Sequence, residues 1–133
     1  MKEATADELG PPADEPVLVM SALSRLIALA MAMFHIYTAV TVTFSPMIQR
    51  SVHMAFALSL LFLITPTSGL PRRLDVALRC LLAAASVFVT LYAAVEFTNP
   101  GIFRVIDPTL LDIVSGTTLF LILLEAKIGR AHV

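Results

Sequence analysis

The sequence predicts an all-α fold: an integral membrane domain of about four antiparallel transmembrane helices, with its N-terminus in the cytoplasm. Three observations carry that expectation. Apolar residues make up 58% of the 133-residue chain and charged residues 14%, against about 45–50% and roughly 25% in soluble domains. The apolar residues fall into four runs, each close to the roughly 20 helical residues that cross about 30 Å of hydrocarbon. The breaks between runs are short and hold proline, glycine and capping residues, so successive helices turn back on one another. A soluble chain of this length leaves too much surface exposed to hide so many apolar side chains. In lipid no water meets the backbone N–H and C=O groups, which makes helices the default for each run.

Residues 1–16 read as a polar, disordered tail. Glu3, Asp7, Glu8, Asp14 and Glu15 follow Lys2, and Pro11, Pro12 and Pro16 interrupt any helix. A cleavable signal would instead place an apolar stretch directly after a basic start. The transmembrane domain is expected over 17–126. Its first helix runs from Leu26 to Phe44, with Val17 to Ser24 either lying in the interface or extending it. The second runs from about Met47 to Thr65. Ser45 caps it and Pro46 takes the first position, where a missing N–H costs nothing. Pro66 and Thr67-Ser68-Gly69 end it. The third runs from about Leu74 to Val95. Asp75 and Arg79 share one side of its first turns, and Arg79 is close enough to the interface to snorkel there. The fourth runs from about Pro108 to Ala126, with Asp107-Pro108 repeating the device of Ser45-Pro46.

Lysine and arginine set the orientation. One side holds Lys2, Arg25, Arg72, Arg73 and Arg79, and the other holds Arg50 and Arg104. The N-terminus, the Arg72-Arg73 loop and the C-terminal end therefore fall in the cytoplasm. The loops near Pro46 and Asn99-Pro100-Gly101 face outward. Small residues recur at helical spacing, Ala28 with Ala32 and Ala55 with Ser59, beside the patch Ala83-Ala84-Ala85. Such positions let helices approach closely in lipid; they are also ordinary alanine usage in apolar helices.

Composition and motifs exclude several functions. A net charge of −1 leaves no basic stripe for nucleic acid. No Gly-rich phosphate loop, paired-cysteine motif or His-x-x-x-His is present, so neither an enzyme, a metal site nor a bound cofactor is expected. Cys80 is alone and reads as a small buried hydrophobe. The polar candidates are His35, His53, Glu96, Arg104, Asp112 and Glu125. His35 falls near the middle of the first helix, where a polar residue is a functional candidate; its plain alternative is a neutral histidine bonded to a neighbouring helix. A haem held by His35 and His53 is disfavoured, because counting from Phe44 and Ser51 sets them roughly 10 Å apart in depth. Glu96, Arg104 and Asp112 read as solvated helix ends or as an outward polar patch for a partner. Glu125 reads as a solvated inner end.

Several runs together resemble a known family. They are Phe34-His35-Ile36-Tyr37-Thr38-Ala39, Gln49-Arg50-Ser51-Val52-His53-Met54-Ala55-Phe56, Phe62-Leu63-Ile64-Thr65-Pro66, Arg104, Pro108-Thr109-Leu110-Leu111-Asp112, Gly116 and Leu123-Leu124-Glu125-Ala126. In this order, from about Arg25 to Ala126, they resemble the N-terminal four-helix region of fused TRAP transporter permeases, the 4TM/12TM type associated with TAXI binding proteins. Asn99-Pro100-Gly101 and Asp107 depart from the family's loop before the fourth helix.

The resemblance implies a multi-pass protein of the bacterial inner membrane. Such permeases take up organic acids or similar solutes by secondary transport, commonly coupled to sodium, with a periplasmic solute-binding protein delivering the solute. The four-helix part acts as a scaffold for a large portion that carries the substrate and ion sites. Ile128-Gly129-Arg130-Ala131-His132-Val133 resembles a translated sequencing adapter, so 127–133 is expected to be foreign to the natural sequence. Two alternatives stand beside this expectation: a stand-alone small subunit of a tricarboxylate-type carrier, and a membrane anchor subunit of a redox complex.

Overall fold

The computed structural model describes residues 15–41, 44–67, 69–96 and 107–128. They form four helices: α1 (Glu15–Thr41), α2 (Pro46–Ile64), α3 (Arg72–Glu96) and α4 (Leu110–Ile128). The all-α expectation holds, with differences at the ends. Val17 to Ser24 continues α1 rather than forming a separate interfacial piece. Glu15 and Pro16, expected in the tail, already belong to that helix. Residues 1–14 and 129–133 lie outside the described residues, as do Ser68, Asn99-Pro100-Gly101 and Arg104.

Three helices are long and apolar enough to cross a membrane: α1 over Leu18–Thr41, α2 and α3. The fourth has 19 residues, about 28 Å of helix, but carries Asp112, Glu125 and Lys127. It is therefore not among the helices long and apolar enough to cross, where four such spans were expected.

Side-chain contacts make neighbouring helices antiparallel. Residues late in α1 meet residues early in α2, and the end of α2 meets the start of α3. The end of α3 meets the start of α4. The most extensive packing is between α2 and α3, with α1 laid on α2 and α4 on α3. All four helices contribute to one core: Met20 from α1, Leu58, Phe62 and Leu63 from α2, Ala83 from α3 and Ile122 from α4. Phe62 at its centre has no exposed surface.

The caps explain where the helices begin and end. Ser45 accepts from the backbone N–H of Ile48 at 3.4 Å, and Pro46 follows as the first helical residue. This is the expected device. At α4 the expected cap moves. Thr109, not Asp107, caps the helix. Its hydroxyl accepts from the Asp112 N–H at 3.3 Å, while the Asp112 carboxylate accepts from the Thr109 N–H at 2.8 Å. The reciprocal pair satisfies two end groups at once, which a cap at Asp107 would not do. Between α2 and α3, Gly69 takes φ +87°, a left-handed conformation that a residue without Cβ adopts at little cost.

The outer faces of the bundle carry large apolar side chains, while several polar ones are buried beside the apolar core. On α3, Leu74, Leu81, Phe88 and Val95 form an exposed stripe at seven-residue intervals, while Asp75, Ser86 and Thr90 are buried. Buried hydroxyls bond their own helix: Ser59 donates to the Ala55 carbonyl, Ser86 to Leu82 and Thr90 to Ser86. Such back-bonding satisfies them without water.

The small residues divide by helix. Ala55, Ser59 and Ala83 are buried, whereas Ala28 and Ala32 on α1 are exposed. Close approach is therefore used where α2 meets α3. Ala55→Leu should destabilise the bundle by about 1–3 kcal/mol through overpacking, and Ala28→Leu by less than about 0.5 kcal/mol. Unfolding in mixed micelles, followed by circular dichroism, measures both; equal effects would contradict this packing.

Candidate functional site

Polar side chains gather at two levels of the bundle. One level joins the end of α2 to the start of α3, and the other joins α1 to α2 and α3 to α4 at the opposite end.

At the first level a helix end must be satisfied. The last four carbonyls of a helix have no partner within it. In α2 these belong to Leu61, Phe62, Leu63 and Ile64. The Thr65 N–H donates to Leu61 at 3.0 Å. Arg79, reaching across from α3, donates through Nε to the Phe62 carbonyl at 3.1 Å and through Nη2 to the Leu63 carbonyl. Asp75 pairs with Arg79 Nη1 at 3.3 Å, and both side chains are nearly buried, at 11% and 12% exposure. The other oxygen of Asp75 accepts from the Thr67 N–H at 2.7 Å. Arg79 thus departs from the expected snorkelling to the interface. It turns inward, because an arginine one turn above Asp75 meets a carboxylate and two helix-end carbonyls there.

At the opposite end α1 and α2 meet through Gln49, which donates to the Thr38 hydroxyl at 3.3 Å, and through two histidines. His53 Nδ1 lies 2.9 Å from His35 Nε2, with the rings edge-on at 77°. His35 Nδ1 is 2.7 Å from the Met31 carbonyl. A carbonyl only accepts, so His35 carries its proton on Nδ1. With both rings neutral, His53 Nδ1–H donates to His35 Nε2, and His53 Nε2 keeps a lone pair.

This overturns the expected 10 Å offset in depth. The helices end at Thr41 and start at Pro46, so His35 lies six residues from one end and His53 seven from the other. Counting from Phe44 and Ser51 misplaces both ends. The plain alternative for His35, a bond to a neighbouring helix, is the one realised. A porphyrin between these rings would have to part α1 and α2 where Gln49–Thr38 and the Phe34–Phe56 contact, at 6.1 Å between centroids, hold them together on either side. The pair opens onto a groove of about 540 Å³ lined by His35, Pro46, Gln49, Arg50, His53 and Met54.

Between α3 and α4, the Tyr92 hydroxyl donates to Asp112 at 2.6 Å, and Thr109 donates to the other carboxylate oxygen through its hydroxyl, also at 2.6 Å. Asp112, half-buried in the first turn of α4, therefore also acts as an interhelix acceptor, a role the expectation of a solvated helix end or outward patch did not include. Its partner Tyr92 is not marked by any motif. A tyrosine four residues before the end of one helix and an aspartate two residues into the next are the available signal. Glu96 is half-buried at the end of α3, and Arg104 lies outside the described residues. Glu125 is half-buried at the other end of α4. Cys80 is exposed on the outer face of α3, not buried as expected, because Asp75, Arg79, Ala83 and Ser86 occupy the inward face. Among the described residues no cluster of three histidine, cysteine or acidic side chains is placed to hold a metal.

Comparison with protein-family models, with curated proteins and with solved structures finds no match to this chain. The arrangement binds helices to one another. Arg79, Asp75, Gln49, Tyr92 and Asp112 are spent on a neighbouring helix or a helix end, while the histidine pair also opens onto a groove.

Arg79→Met should cost about 3–5 kcal/mol, because it removes the charge partner of the nearly buried Asp75 carboxylate and the Arg79 donors at the end of α2. The double replacement Asp75→Leu/Arg79→Met should recover part of that loss. Denaturant titration in micelles checks the pair; a single variant as stable as the unaltered chain would show that Arg79 does not hold the end of α2.

Proposed function

We propose that this chain is a membrane scaffold, the N-terminal, small-subunit-like part of a TRAP-type secondary transporter permease. In this reading it sits in the bacterial inner membrane with α1 to α4 all crossing and its N-terminus in the cytoplasm. A large portion, fused or separate, performs ion-coupled uptake of organic acids or similar solutes delivered by a periplasmic binding protein. The observation that carries the scaffold reading is the destination of the polar side chains. Asp75, Arg79, Tyr92 and Asp112 are engaged between helices, while the outward faces of α1, α3 and α4 are apolar. A solute path at bilayer depth needs polar groups turned toward a cavity. The runs that resemble the permease family support the same view. Phe34, His35, Thr38, Gln49, His53 and Phe56 fasten α1 to α2, which is the work of a scaffold.

A tricarboxylate-type small subunit would use the same scaffold beside a separate large subunit. A redox anchor gains one supporting observation, the matched depth of His35 and His53, and meets one obstacle, the contacts flanking the pair. An absorbance scan of the purified protein for a haem band decides that reading.

Reconstituted alone in liposomes, the chain should give no sodium-dependent uptake of organic acids; robust uptake would overturn the scaffold role. The source locus, read onward from the codon for Ala126, separates the two carrier readings: many further apolar segments in frame support the fused permease, and an early stop supports the separate subunit. For orientation, Thr67→Cys in a Cys80→Ser background should resist an impermeant maleimide applied to intact cells. Labelling from outside would reverse the proposed topology.

A further inference from the structure

We infer that His35 and His53, with Met54 beside them, form a binding site for a soft monovalent metal ion of the copper(I) class. The inference rests on the geometry of the groove and stands apart from any transport role.

The donor set is the first argument. Two imidazoles and one thioether line the same groove, and no carboxylate is among its lining residues. Oxygen ligands select hard cations such as magnesium and calcium, whereas imidazole and thioether together suit copper(I). The second argument is orientation. A metal-binding histidine commonly donates its other ring N–H to a backbone carbonyl, which fixes the tautomer and aims the second nitrogen. His35 does this through Nδ1 to the Met31 carbonyl at 2.7 Å, and its Nε2 faces His53 at 2.9 Å. The two nitrogens that would meet the ion are already in contact across two helices. Histidine–metal bonds of about 2 Å require that gap to open by less than about 1.5 Å, within the reach of small side-chain rotations on the exposed His53. The proton on His53 Nδ1 shifts to Nε2 by tautomer exchange, so binding releases no proton.

Charge is the third argument. Arg50 lines the same groove and is exposed. With no acidic residue among the lining to offset them, a divalent ion would add two positive charges beside a guanidinium. A monovalent ion bound by neutral ligands halves that repulsion. The site lies about two turns inside the ends of α1 and α2.

The test uses the full chain, purified in detergent under reducing conditions and titrated with copper(I) against a chromophoric chelator. One ion per chain should be withheld from the chelator. His35→Gln/His53→Gln should weaken binding by at least about a hundredfold, since loss of outer-shell partners alone costs roughly 10–100-fold. Met54→Leu should weaken it by a smaller factor, and zinc should compete poorly. Should the histidine variant lose helicity, X-ray absorption on the copper-loaded unaltered chain decides, by finding two nitrogen ligands and one sulfur or an unrelated shell. No withheld copper, binding unchanged in a folded histidine variant, or zinc bound as tightly as copper would each overturn the inference.

Discussion

Arg79 does three tasks with one side chain, and the packing of α2 on α3 depends on all of them. It closes carbonyls that α2 cannot satisfy itself, it neutralises Asp75, and it brings the C-terminal end of α2 against the start of α3. In water these needs would be weak, because solvent would meet each group. Away from water an unmet polar group costs several kcal/mol, and Arg79 and Asp75 are both nearly buried, so one arginine facing inward organises this end of the bundle. Asp75 extends the tie to the loop through the Thr67 N–H. Phe62 and Leu63, whose carbonyls accept from Arg79, also place their side chains in the core. Backbone satisfaction and side-chain packing are thus set by the same residues.

The opposite end is held differently. There the four helices are tied in pairs, α1 to α2 through Gln49–Thr38 and the histidines, and α3 to α4 through Tyr92–Asp112. Phe44, in the turn after α1, stacks near Phe34 and Tyr37 and closes the first hairpin with apolar contact. The shared core, by contrast, draws Met20, Phe62, Leu63 and Ile122 toward the Arg79 end. The bundle is therefore anchored as a unit at one end and joined pairwise at the other. The groove beside the histidines opens at the pairwise end, where fewer contacts resist a small separation of α1 from α2.

Much of the fold is legible in the sequence because long apolar helices leave a coarse signal. Length of apolar run, proline at a helix start and a Pro-Gly break each act within a few residues, so the ends of α2 to α4 emerge within two positions, while α1 begins at Glu15 rather than Leu26 because nothing in Val17 to Ser24 marks whether that piece joins the helix. The Ser45-Pro46 cap is readable for the same reason. The polar contacts are less so. Whether Arg79 turns to the interface or to a neighbour depends on what the adjacent helix presents, and the helix-end carbonyls of α2 are not written in any side chain. Cys80 escapes a sequence reading because a run that is apolar on nearly every face does not mark its inward side; on α3 the polar residues mark it, the reverse of the soluble rule. Small errors at helix ends also propagate. Moving the reference points to Thr41 and Pro46 brings His35 and His53 from different depths into contact.

That contact lies between two runs that stand out in the sequence, Phe34 to Ala39 and Gln49 to Phe56, which meet across a single hairpin. Gln49 with Thr38, and Phe34 with Phe56, fix the register of α1 on α2. An apolar pair alone would slide along the helix axis at little cost, since lipid is as good a partner as leucine. Directional bonds between specific residues remove that freedom. Among the described residues Gln49, Asp75, Arg79, Tyr92 and Asp112 supply such bonds at helix ends and between neighbours, and the histidine pair also borders a groove.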